Sequence, residues 1–124
     1  EKGLRFFCLK GLYGPRLECG GTDFIAGYLR EIEALPVFSD EREMIEEHIL
    51  GSVRPLQFDT EGRVVLPDDY RAHANLAERA LFQGRGKHFL ILDADAADQR
   101  IAATREPARE ALKRIRALNG GGRA

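Results

Sequence analysis

The chain has no tryptophan, one methionine and two cysteines among its 124 residues. It also lacks a long apolar run, since no stretch approaches the roughly 18 residues that cross a bilayer as a helix, and no charged leader precedes an apolar segment. We therefore expect a cytosolic protein with no membrane partner. The charges nearly cancel, with 19 Lys and Arg against 20 Asp and Glu. Whole-chain charge gives no case for nucleic-acid binding, so such a contact must come from local patches or from assembly.

The two cysteines, Cys8 and Cys19, lie in otherwise apolar segments without a Cys-x-x-Cys motif or a Cys/His cluster. We expect buried free thiols in a reducing cytoplasm, and a disulfide remains open if the two flanking strands pair side by side. His48, His73 and His88 are too scattered in sequence to predict a ligand set. We therefore predict no metal site and no cofactor.

One predicted helix is strongly acidic. A paired-carboxylate catalytic site needs convergence in a cleft with perturbed pKa values, which neighbouring positions on one short helix do not supply. A solvated acidic face is the better interpretation. Because no nucleophile motif is found elsewhere, we expect neither an enzyme nor a small-molecule substrate. The acidic residues of this helix are Asp40, Glu41, Glu43, Glu46 and Glu47.

The order of predicted elements indicates an α+β chain. Apolar positions at helical spacing define the first helix, which Pro36 stops. Asp93 or Asp95 caps a C-terminal helix that can kink or restart at Pro107. The predicted strands are residues 4–10, 15–19, 53–58, 63–66, 80–83 and 87–92, and the predicted helices begin near residues 22, 39, 68 and 93.

The segment Phe58–Arg71 packs a strand, a tight turn, a second strand and a helix start into FDTEGRVVLPDDYR. Gly62 can take a positive φ without steric penalty, and Asp59 can bond backbone amides two residues on, so the chain reverses here. Arg63 is then left at the exit of the turn. For Asp-x-x-Gly-Arg alone, the simplest interpretation is a hairpin with a solvated arginine.

The longer pattern adds an apolar triplet, Pro67 and the Tyr70-Arg71 pair to that turn. This pattern resembles the MraZ family of the AbrB-like superfamily, regulators of the division and cell-wall cluster. The turns at Gly11–Gly14 and Gly84–Gly86 sit where landmarks of that family would fall. The resemblance implies a swapped-hairpin, AbrB-like β-barrel built from two pseudo-repeats, with peripheral helices.

The two pseudo-repeats divide the chain. Residues 1–52 are predicted to be the remainder of the first repeat with its helices, and residues 53–118 the second repeat with the C-terminal helix. Residues 119–124 are predicted to be a flexible tail, and the repeats to form one compact unit. The hairpin at Phe6–Leu17 parallels the one at Leu81–Leu92, and each is followed by a helix. No Asp-x-x-Gly-Arg turn precedes the first hairpin, so we expect that the first repeat lacks its front half.

The resemblance also implies a function. Members of this family are cytoplasmic, nucleoid-associated transcriptional regulators that bind repeated sites in the promoter DNA of their own operon as ring-shaped homo-oligomers. Carried over to this chain, the DNA contact falls on Arg63. Asp59 and Gly62 would shape the turn, and Arg71 would be a structural partner of that loop rather than a contact.

Two further basic residues, Arg85 and Lys87, flank a glycine in the last predicted turn and are candidate phosphate contacts. Solvated charges on a surface hairpin explain them equally well. The alternative function is an AbrB-like protein-interaction or assembly scaffold without sequence-specific DNA binding. The acidic helix and the basic, amphipathic C-terminal helix favour this alternative.

Overall fold

The computed structural model describes residues 4–120 and divides the chain into two compact units, one up to Ala94 and one from Asp95 onward. The first unit is α+β. The second unit consists of helix α4 (Ala94–Gly120) from its second residue onward. The elements of the first unit are β1 (Arg5–Lys10), β2 (Leu17–Gly20), α1 (Thr22–Glu33), α2 (Asp40–His48), a 3-10 turn (Leu50–Ser52), β3 (Arg54–Gln57), α3 (Asp68–His73), β4 (Ala80–Gly84) and β5 (His88–Asp93).

The strands form one antiparallel sheet in the order β3-β1-β2-β5-β4. One hairpin is β1 with β2 and the other is β4 with β5, and the hairpins meet where Cys19 of β2 lies opposite Phe89 of β5. The sheet is open, which differs from the predicted barrel. Closure requires the two edge strands to pair with each other, and β3 and β4 do not pair within residues 4–120.

The two faces of the sheet support separate cores, because successive residues of a strand point to opposite faces. Leu9 of β1 packs with Ile32 and Ile49 in a core that α1 and α2 cover. The core on the opposite face, which we call the α3 core, contains Tyr70 of α3 and Ala74, the residue that follows α3. The buried residues of the α3 core are Phe6, Cys8, Leu17, Cys19, Tyr70, Ala74 and Ile91, and Leu56, Phe58, Val64, Leu66, Leu76 and Phe89 pack around them.

Cys8 and Cys19 form a disulfide across the first hairpin, so the expectation of free thiols is wrong. The register of β1 and β2 sets the two residues directly opposite each other, with Cα atoms 4.3 Å apart. This separation is typical of a non-hydrogen-bonded antiparallel pair, whose side chains approach closely. Both residues are fully buried in the α3 core. The register of the two paired strands, which the predicted hairpin did not specify, therefore decides the state of the cysteines.

Several element boundaries also differ from the predictions. Residues 63–66 pair with no strand in the described chain. The carbonyl of Arg63 instead closes the turn by accepting from the amide of Asp59 at 2.7 Å, and Val64 and Leu66 contribute their side chains to the α3 core. Helix α4 passes through Pro107 without a break. The carbonyl that a proline leaves unpaired can bond water there, since the surrounding turn is exposed. Of the predicted tail, residues 119–120 belong to α4, and the others lie outside the described residues.

Candidate nucleic-acid interface

The Asp-x-x-Gly-Arg segment forms a turn that its own side chain and backbone close. Asp59 Oδ1 accepts hydrogen bonds from the backbone N–H groups of Glu61 at 2.9 Å and Arg63 at 2.8 Å. The amide of Gly62 donates to the carbonyl of Asp59 at 3.0 Å, and Gly62 has a φ of 81°. A left-handed φ favours glycine because it has no Cβ. Asp59 and Gly62 therefore occupy the positions that fix this turn.

Arg63 lies on this turn with 72% of its side chain exposed. Its Nε donates to Asp59 Oδ2 at 2.8 Å, and its Nη2 is 3.4 Å from Glu61 Oε1. The backbone N–H of Arg63 is the main cause that holds the pKa of Asp59 below its usual range, and the Arg63 side chain adds to it. Arg63 is thus accessible, but two carboxylates of its own turn hold its guanidinium.

The turn is attached to the sheet on both sides. The amide of Phe58 donates to the carbonyl of Leu4 at 2.9 Å, and the ring of Phe58 stacks on Phe6 with centroids 4.8 Å apart. On the other side, Val64 and Leu66 pack against the α3 core. An exposed turn whose two ends are both packed keeps its position better than a free loop.

Helix α3 follows the turn and is tied to two strands through Asp69. Arg54 of β3 donates to both carboxylate oxygens of Asp69 at 3.2 Å, and Lys10 Nζ of β1 lies 3.0 Å from Oδ2. The hydrogen bond from Lys10 and the charge of Arg54 lower the pKa of Asp69. The guanidinium of Arg54 also lies 5.3 Å from the ring centroid of Tyr70. Sequence reasoning missed this network, because only the strand register brings Lys10 and Arg54 to α3.

Arg71 is ion-paired with Asp68, three residues before it on α3. It also lines an open groove of about 460 Å³ together with Val64, Leu66 and Ala80. The structure therefore places Arg71 beside the segment that leaves the turn.

Arg85 and Lys87 lie in the turn between β4 and β5, apart in sequence from Arg63. The amide of Arg85 donates to the carbonyl of His88 at 2.8 Å, and Gly86 has a φ of 80°. A glycine with positive φ at the first central position is typical of a type II′ hairpin turn. Arg85 Nε donates to Gln83 Oε1 at 2.9 Å, whereas Lys87 makes no ion pair within residues 4–120.

The described part of the chain offers neither a metal site nor a membrane-spanning helix. Residues 4–120 contain no group of three or more His, Cys, Asp or Glu side chains arranged to hold a metal ion. None of the helices within the same residues has both the length and the apolar character to cross a membrane.

Comparison with known proteins gives a consistent result. The sequence profile of the family described as "MraZ protein, putative antitoxin-like" matches residues 49–116. The "Transcriptional regulator MraZ" of Azorhizobium caulinodans is 35% identical over 119 residues, which cover 93% of this chain and 71% of that protein. The protein of the same name from Caulobacter vibrioides is 34% identical over 111 residues, which cover 90% of this chain and 71% of that protein.

A third relative is the "Transcriptional regulator MraZ" of Rickettsia canadensis, 40% identical over 60% of this chain and 50% of its own length. These relatives are named as transcriptional regulators and not as enzymes. The family profile covers the Asp59–Arg63 turn, α3, β4, β5 and most of α4. The chain belongs to the MraZ family.

Proposed function

We propose that this chain is a DNA-binding transcriptional regulator that contacts promoter DNA through Arg63. The observation that carries the proposal is the turn itself, in which an exposed guanidinium stands on a hydrogen-bonded loop packed at both ends. The names of the relatives support the regulatory role. Repeated operator sites in the promoter of its own division and cell-wall operon are the proposed target.

The chemistry of Arg63 suits such a contact. A guanidinium can make charge-assisted, bidentate hydrogen bonds to phosphate, or to guanine O6 and N7 in the major groove. Asp59 and Glu61 already accept from this group, so a DNA acceptor must compete with them or use its remaining N–H donors. We propose that the backbone amides which hold Asp59 keep the turn in shape while Arg63 exchanges partners.

One such arginine on a chain of net charge −1 gives weak binding. We propose that the regulator works as a ring-shaped homo-oligomer, nucleoid-associated in the cytoplasm, in which several turns face repeated half-sites. Once one turn is bound, the linked turns face the neighbouring half-sites at a high effective concentration, so each later contact forms more readily. Within residues 4–120, β3 and β4 are the two outer strands of the sheet, and we propose that strands from a second copy pair there to complete the AbrB-like barrel.

The experiment compares Arg63→Ala with native protein on DNA from upstream of its own gene, using fluorescence anisotropy at low salt with unrelated DNA as competitor. We expect at least a tenfold loss of affinity, since an arginine contact to a base or phosphate is worth about 1–3 kcal/mol. Arg30→Ala, an exposed change on α1, is the matched control and should bind as native. Light scattering of the same samples should show unchanged oligomer mass.

The alternative is an assembly scaffold without sequence-specific DNA binding, which the exposed apolar residues of α2 and α4 favour. If the native protein in its assembled state does not prefer the promoter fragment over unrelated DNA at low salt, the scaffold function replaces the first proposal. If Arg63→Ala binds DNA as native protein does, the contact must be made by other residues. Arg85→Ala and Lys87→Ala would then be measured in the same assay.

A further inference from the structure

The corner between α1 and α2 exposes large apolar side chains. Val37 is 68% exposed, Phe38 98% and Met44 54%. Phe38 directly precedes Ser39, the N-cap of α2, and Met44 lies on the exposed side of that helix. Leaving almost the whole surface of a phenylalanine in water is unfavourable in free energy. Exposed apolar patches often mark interaction sites. We call these three residues the corner patch.

Carboxylates of α2 flank the Met44 part of the corner patch. Residues three and four apart share a helix face, so Asp40 and Glu47 flank Met44. Arg42, the basic residue of α2 other than His48, forms an ion pair with Glu46, in which its Nε lies 3.0 Å from Oε2. Four carboxylates of this helix have no ion-pair partner within residues 4–120: Asp40, Glu41, Glu43 and Glu47.

Helix α4 exposes an apolar stripe along its length. Ile101 is 48% exposed, Leu112 46%, Ile115 52% and Leu118 84%. With Ala108, these residues recur at spacings of three, four and seven and so lie along one side of the helix. An apolar stripe along one side of an amphipathic helix is typical of a surface that packs on another element.

Arginines border the stripe on both sides. Arg105 lies four residues after Ile101 and Arg116 four after Leu112, which sets them on one border, and Arg114 lies four before Leu118 on the other. Arg109 and Lys113 are ion-paired with glutamates of α4. Four arginines have no ion-pair partner within residues 4–120: Arg100, Arg105, Arg114 and Arg116.

We propose that the corner patch is a docking surface for α4 of a second copy of this chain. The patch is apolar with an acidic rim, and the stripe is apolar with basic borders, so the two surfaces match in both chemistry and charge. The sequence up to Ala94 has 12 Lys and Arg against 16 Asp and Glu, whereas from Asp95 onward it has 7 against 4. Pairing of two α4 helices would instead bring arginine borders together, which like-charge repulsion opposes.

This inference does not depend on DNA binding. An amphipathic helix that lays its apolar side on an exposed patch is a common recognition mode. Since each copy carries one patch and one stripe, the contact is head to tail and can build an open chain or a closed ring of subunits. Rim charges mainly set partner choice and salt sensitivity, so the apolar residues must carry most of the affinity.

The test uses two full-length charge-reversal variants. The patch variant is Glu43→Lys/Glu47→Lys and the helix variant is Arg105→Glu/Arg116→Glu. Sedimentation velocity over a concentration series should show at least a tenfold weaker self-association for each variant alone than for the native chain. An equimolar mixture should regain a complex, because the helix of the first variant fits the patch of the second. Glu31→Lys, a change at an exposed position of α1, is the control and should associate as native.

A further variant, Phe38→Ser, keeps the test valid if charge reversal disturbs folding, because this side chain is 98% exposed and contributes little to the fold. We expect Phe38→Ser to weaken self-association with an unchanged circular dichroism spectrum. Native-like association of Phe38→Ser and both charge variants would overturn the proposal. It would also be overturned if the mixture formed no complex, or if the helix variant lost DNA affinity while it kept native self-association.

Discussion

Tyr70 and Cys8 are joined by a buried hydrogen bond that spans 62 residues of sequence. The Tyr70 hydroxyl of α3 donates to the Cys8 carbonyl of β1 at 2.8 Å, and both residues are fully buried. The same hydroxyl lies within hydrogen-bond distance of the Ser52 carbonyl. Burial raises the pKa of Tyr70 to about 12, so it stays a neutral donor at physiological pH. This bond fixes α3, and with it one end of the Arg63 turn, to the sheet.

Tyr70→Phe should destabilise the protein by about 1–2 kcal/mol, because a buried carbonyl loses its donor while the aromatic packing stays. Chemical denaturation followed by circular dichroism measures the free energy of unfolding. Tyr13→Phe is the control, since Tyr13 is 85% exposed and should change stability little. Equal stabilities for the two variants would show that the Tyr70 bond contributes nothing net.

Gly62→Ala should cost about 1 kcal/mol and weaken DNA binding, because Gly62 has a φ of 81° and an L-residue is strained there. The strain is purely conformational, since an added Cβ would meet nothing within 4 Å. Gly84→Ala is a matched control with the same open space but no left-handed φ. Chemical denaturation measures the stability of the two variants, and fluorescence anisotropy measures their affinity for DNA. A Gly62→Ala protein that is as stable as Gly84→Ala would contradict the prediction.

The carboxyl of Asp59 should titrate below the usual range for aspartate, as carbon NMR of the side chain would show. The backbone N–H of Arg63 is the main cause, followed among the stabilising contacts by the Arg63 side chain. Because the folded pKa is lowered, the contribution of Asp59 to turn stability is present above the ordinary aspartate pKa. It is lost as the pH falls through the folded value.

Arg63→Ala discriminates between the two causes. The variant keeps its backbone N–H, so the pKa of Asp59 should rise only in part and stay below that of a free aspartate. A complete return to the ordinary value would show that the guanidinium, not the turn amides, holds the carboxylate.

Local patterns predicted the elements well where neighbouring residues decide the structure. The first hairpin, α1, α2 and the start of α3 at Asp68 follow from apolar spacing and from turn and cap residues. The Ser39 hydroxyl accepts from the Arg42 amide at 3.2 Å, as an N-cap should. Gly62 likewise adopts the positive φ that the turn pattern requires.

Features that depend on long-range pairing could not be read from the sequence. The expected strand at residues 63–66 is apolar enough, but Val64 and Leu66 pack on the α3 core and no strand pairs with them. The Asp69 contacts to Lys10 and Arg54 join three elements whose register no local pattern reveals. The disulfide depended on the same kind of information.

The disulfide gives the last prediction, which concerns the redox state of the purified protein. Protein isolated under oxidising conditions should have an intact mass lower by two hydrogen atoms than the reduced chain. It should resist alkylation even when it is unfolded, until the disulfide is reduced, because only a free thiolate reacts. Closing a loop over a sequence separation of 11 should stabilise the oxidised protein by about 3 kcal/mol. The difference is measured by denaturation with and without reductant.

Cys8→Ala/Cys19→Ala is the control for that measurement. It should match the reduced protein more closely than the oxidised one and should not respond to reductant, which excludes an effect of reductant on other groups. Cytosolic disulfides are rare, so protein isolated without oxidant from a reducing cytoplasm should contain a larger share of the dithiol. If oxidised and reduced protein unfold at the same denaturant concentration, the prediction is wrong, because the loss of freedom that the bond imposes on the unfolded chain then gives no net stability.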